Sequence, residues 1–123
     1  MIVSFGLALA LALQGAVAAD PTLVAGEQTS EVAFGELEDG RTQAAIARLE
    51  RLRDGGNADA ALLINLGVAY ERIGRESDAL DAYRQAADAE EYELELADGS
   101  WRSSRDIATA ALQRLDMTSV AVR

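Results

Sequence analysis

The sequence predicts an all-α fold of stacked αα-hairpins, with a small β-hairpin at about 92–102 before the last helix. Three observations carry this. First, Leu63, Leu66, Ala69, Tyr70 and Ile73 recur at spacings of three and four, Gly74 follows, and Ala79, Leu80, Tyr83, Ala86 and Ala87 form a second stripe. Second, part of this pattern returns roughly 34 residues upstream. Third, Tyr92-Glu93-Leu94-Glu95-Leu96 alternates between apolar and acidic before Asp98-Gly99, a strand-and-turn pattern.

Met1 to Ala19 contains no charged side chain and ends in Ala16-Val17-Ala18-Ala19, small residues of the kind a signal peptidase accepts. We read residues 1–19 as a signal peptide cleaved after Ala18 or Ala19, which makes the mature chain periplasmic or secreted. An uncleaved anchor and a buried helix are the alternatives. Gly6, Gln14, Gly15 and the polar chain after Ala19 make a poor membrane span, so no stable insertion is expected after cleavage. The sequence has no cysteine, so neither a lipid-bearing cysteine nor a disulfide is available.

The remaining residues fit one domain, 20–117, followed by a loose tail at 118–123. Asp20 to Thr29, with the chain's single proline at Pro21, is a leader. A first helix over about 26–39 is irregular, with Phe34 and Leu37 supplying its apolar bulk. A second over about 42–54 is clearer, with Ala45, Leu49 and Leu52 on one stripe. Asp54-Gly55-Gly56-Asn57 is a turn. Asp59 can cap the helix that follows, and Ser77 the next. The connection at Gly74-Arg75 is short enough to force those two helices antiparallel. Leu and Glu are good helix formers, so the 92–102 stretch could also continue as helix; the alternation favours a hairpin, Tyr92–Leu96 with Trp101–Arg102. Ser103 or Ser104 then caps a last helix striped by Ile107, Ala108, Ala111, Leu112 and Leu115, running to about Met117.

The order Leu63-x2-Leu66-Gly67-x2-Tyr70, then Ala79-x3-Tyr83-x2-Ala86, resembles the tetratricopeptide repeat. One unit over about 60–91 is clear. A second over about 26–57 is degenerate, because Glu36 stands where the clear unit has Tyr70. The C-terminal third resembles an atypical cap. The resemblance implies that Gly67 and Ala79 allow close helix approach, with Tyr70 and Tyr83 wedged beside the contact. It also implies a concave groove that holds a peptide or partner helix. The groove would be lined by Ala61, Ile64, Asn65, Val68 and Arg72, with Glu27, Ser30, Glu31, Phe34 and Glu38 from the degenerate unit. Lysines that would clamp an acidic carboxyl terminus are absent, so that mode is not expected. Two and a half units are few; either the last elements cap the stack or the chain pairs with itself or a larger partner.

Chemistry is scarce. The absence of histidine and cysteine removes the commonest general base, most zinc sites and thiol nucleophiles, and neither enzyme activity, cofactor nor metal is expected. The net charge of −10 opposes binding to nucleic acid or anionic lipid. Asp88, Glu90, Glu91, Glu93, Glu95 and Asp98 form an acidic run without EF-hand spacing. It reads as a solvated face, or as a docking strip for a basic partner such as an exported enzyme that the chain assists or inhibits. Amino-terminal sequencing of the exported product is expected to begin at Ala19 or Asp20; an intact Met1 would remove the export reading.

Overall fold

The computed structural model describes residues 24–25 and 28–122. The expected signal peptide lies outside them. Among the described residues, five helices pack on one another: α1 (Gln28–Glu38), α2 (Thr42–Asp54), α3 (Ala60–Arg72), α4 (Glu76–Asp88) and α5 (Ser104–Val122). Three short strands, β1 (Val24–Ala25), β2 (Glu93–Leu96) and β3 (Trp101–Ser103), form an antiparallel sheet in the order β1-β2-β3. The architecture is all-α with a small sheet.

The helices begin and end for local reasons. Gly40, Gly56 and Gly74 take φ of 80°, 94° and 79°, a left-handed backbone that favours glycine. At each, the residue after the glycine donates its N–H back across the last turn: Arg41 to Glu36 O (2.8 Å), Asn57 to Leu52 O (2.9 Å) and Arg75 to Tyr70 O (2.9 Å). This is the Schellman closure, which satisfies carbonyls that a helix end leaves open. Arg41 and Arg75 serve twice, since each carbonyl also accepts the first bond of the next helix, from Ala45 (3.1 Å) and Ala79 (3.0 Å). The helix therefore starts at Glu76, and Ser77 is not its cap; Arg75 holds that position and pairs with Asp78 at 2.8 Å. Asp59 does cap α3, accepting from Leu62 N–H at 2.8 Å.

Helix α3 is the centre of the molecule. Every residue from Ala60 to Tyr70 is buried, because α1, α2, α4, α5 and β1 all pack against it. Its contact with α4 depends on size. A Cβ placed on Gly67 would lie 2.6 Å from the Tyr83 ring, and Tyr83 and Ala79 are themselves fully buried. The ring occupies the space that the missing side chain leaves. Its hydroxyl donates to Glu71 Oε2 at 2.5 Å, and Arg114 of α5 grips the same carboxylate with two bonds of 2.8 Å. One carboxylate thus ties α3 to α4 and α5, and two-pronged guanidinium pairing makes the geometry specific.

The hairpin forms as the alternation predicts, one residue later at each end: Glu93 pairs with Ser103, Leu94 with Arg102 and Glu95 with Trp101. Leu94 and Leu96 turn into the core, which gives this marginal element its support. The loop is Ala97–Gly99, with Gly99 at φ 85°. It is longer than the two-residue Asp-Gly turn of the sequence reading, with the glycine at the left-handed position typical of three-residue loops. Two further features differ from expectation. Val24–Ala25 of the leader adds a strand beside Leu96 and Glu95. Residues 118–122, expected as a loose tail, continue α5.

Replacing Gly67 with Ala is expected to cost about 1–3 kcal/mol, since the enclosed Tyr83 ring has no space to yield. Urea unfolding measures this; an unchanged midpoint would refute the contact.

Candidate interaction surfaces

The residues expected to line a groove do not form one. Ile64, Asn65 and Val68 are fully buried and Ala61 is 2% exposed, so α3 offers no open face at these positions. Helices α1, α2 and α5 and strand β1 all pack on α3, and Leu94 and Leu96 of the sheet join the same core. Arg72, expected at the groove, donates to Leu37 O at 2.5 Å and so ties the last turn of α3 to the end of α1. Phe34 is half-buried against the core, and Glu38 is exposed. Glu27 and the side chains of Ser30 and Glu31 lie outside the described residues.

The first helical hairpin carries charge at Glu36, where the second, 34 residues later, has Tyr70. Glu36 is 6% exposed and pairs through Oε1 with Arg48 at 2.9 Å, while Oε2 has no hydrogen-bond partner among the described residues. In the second hairpin, Tyr70 instead buries a ring and donates to Glu50 at 2.6 Å, with the Arg75 guanidinium 4.6 Å above its face.

The acidic run is divided by the fold. Glu91 is engaged by Ser103 Oγ and by Arg105 at 3.3 Å. Asp98 accepts from the Ser100 amide (2.9 Å) and hydroxyl (2.6 Å); these bonds hold its carboxyl below the usual value and fasten the turn. Asp88, Glu90 and Glu93 are exposed, and Glu95 is half-buried. The alternation of β2 sends Glu93 and Glu95 to the face opposite Leu94 and Leu96. Among the described residues no group of three or more acids is placed to hold a metal ion.

Sequence reasoning missed the aromatic surface. Trp101 is 64% exposed on β3, opposite Glu95, and its only signal was a tryptophan directly after a turn. Tyr92 is 37% exposed and helps line a cleft of about 410 Å³ with Gly56–Ala60, Ala89 and Glu90. A second cleft, of about 300 Å³, lies between α4 and α5 around Leu80, Leu112 and Leu115, edged by Glu76, Arg84 and Asp116. Among the described residues no helix is long and apolar enough to cross a membrane.

Compared with known proteins, the chain matches no family model, no curated protein and no solved structure.

Burial is the main cause that raises the pKa of both Tyr70 and Tyr92; the Glu50 side chain adds to it at Tyr70 and the Asp59 charge at Tyr92. A folded-state pKa above the unfolded value means that the native chain holds these protons longer. The stability these two tyrosines contribute is then fully present below the ordinary tyrosine value of 10.0 and is lost as pH rises past it. Ultraviolet difference titration alongside alkaline denaturation is expected to show Tyr70 and Tyr92 ionising later than unfolded tyrosine. Ionisation at the ordinary value would contradict the described packing.

Proposed function

We propose that the chain is an exported, non-catalytic interaction module of the tetratricopeptide type, an adaptor that binds a peptide or helix of another protein. The observation that carries this reading is the repeated hairpin. Gly40-Arg41 and Gly74-Arg75, about one tetratricopeptide period apart, close one helix and open the next with the same bonds. The stripe residues Leu63, Leu66, Gly67, Tyr70, Ala79, Tyr83 and Ala86 are all buried, as that family's pattern requires. The hairpin and α5 take the place of a closing unit, and α5 packs along α4. Since the expected groove face of α3 is covered, partner contact falls to the outer surface of the sheet and helices. A rigid surface of this kind avoids an ordering cost on its own side.

A second reading, an acidic accessory subunit or inhibitor of an exported enzyme, is favoured by the exposure of Asp88, Glu90 and Glu93. It predicts binding that weakens steeply with salt, because exposed charges are screened.

Photo-cross-linking of the tagged chain in its producing cells, followed by mass spectrometry, is expected to yield discrete adducts with another protein. Recovery of the chain only as itself would overturn the proposal.

A further inference from the structure

The outer face of the hairpin brings together features that neither α3 nor the clefts offer. Ser104 N–H donates to Tyr92 O (2.9 Å) and Leu96 N–H to Ser100 O (2.7 Å), so the bonded pairs of the hairpin are the even-numbered ones. Glu93 with Ser103 and Glu95 with Trp101 are therefore the non-bonded pairs, whose side chains stand closest. All four leave the sheet on the side away from Leu94 and Leu96. The same alternation turns the N–H and C=O of Trp101 and the N–H of Ser103 away from β2; the Ser103 C=O, at the N-cap of α5, belongs to that helix's first turn. Since the strand order is β1-β2-β3, the first three groups point off the edge of the sheet. Arg102 leaves on the other face, and Arg105 is held by Glu91 and Ala87 O. The face thus presents an exposed indole, two carboxylates and an edge of backbone donors and acceptors.

We propose that this edge binds an extended, basic segment of a partner protein, which adds as a fourth strand beside β3. Every second side chain of such a strand falls on the outer face, where a Lys or Arg can lie over the Trp101 ring and beside Glu93 and Glu95. Charge selects the occupant. A second copy of a chain with net charge −10 would bring like carboxylates together, whereas a cationic strand neutralises them. Because β3 has three residues, backbone pairing is short, and the indole and carboxylates must supply the selectivity. The proposal rests on the reading of the chain as an interaction module.

Trp101 is the sole tryptophan of the sequence, so its emission reports directly on this edge. Peptides selected from a random phage-displayed library against the full chain are expected to carry Lys or Arg at alternate positions and to shift Trp101 emission. The double variant E93Q/E95Q should weaken them roughly fivefold, the effect of losing two surface charge pairs, one exposed and one half-buried. N-methylation of the peptide backbone at the positions that face β3 should abolish binding to the unmodified chain, a test that needs no variant to fold. Peptides that bind without changing Trp101 emission, or equally well to E93Q/E95Q, would refute this site and leave the module reading standing. Recovery of no peptide would likewise refute this site, whereas the module reading stands or falls on the cross-linking result. Sedimentation that shows a dimer with Trp101 buried would assign the edge to a second copy and overturn the proposal.

Discussion

The ring of Tyr83 lies where a side chain on residue 67 would otherwise be, and much of the molecule follows from that fit. With the ring in place, its hydroxyl reaches Glu71, and the carboxylate so positioned accepts Arg114 from the last helix. A steric vacancy on α3 is thereby converted into a polar link between three helices. The link is only partly exposed, its Glu71 side chain at 17%, and this spares its bonds some of the competition with water that weakens surface pairs. Close-packed interiors transmit such constraints because neighbouring atoms have little room to move independently.

Local chemistry was legible in the sequence. Glycine before arginine marked two helix ends because few other residues accept that backbone, and Asp59 marked a start because its carboxylate suits open amides. Strict alternation at 92–96 revealed the hairpin because a strand has two faces and this one has a core to meet. Coverage was not legible. The stripe arithmetic of α3 showed which residues face its own hairpin partner, but Ile64, Asn65 and Val68 lie on other faces. Their burial depends on α1, α2, α5 and β1, which pack on α3 from outside its own hairpin, contacts that no spacing within the helix encodes. Arg72 was misjudged for a related reason: a long side chain near a helix end can reach a carbonyl of a neighbouring helix as readily as solvent. The helical backbone of 118–122 went unnoticed because Thr and Val are weak helix formers.

The two hairpins also show different solutions to one packing position. Tyr70 fills it with a ring whose hydroxyl is bonded, while Glu36 fills it with a buried carboxylate that Arg48 only half satisfies. Such a pair, with its carboxylate buried and Arg48 exposed, is a weak source of stability, because removing the carboxylate from water offsets much of the attraction. The first hairpin leans on the second in compensation, through the shared core and the Arg72 bond to Leu37.

The double use of Arg41 and Arg75 leaves no slack between the helices on either side. Each pair must turn as a single body, and an inserted residue there would break two helices at once. The connection from Gly55 to Asp59 has no such double duty. Bending between the hairpins, nicking by proteases and the acceptance of extra residues over evolutionary time are all channelled to that one joint.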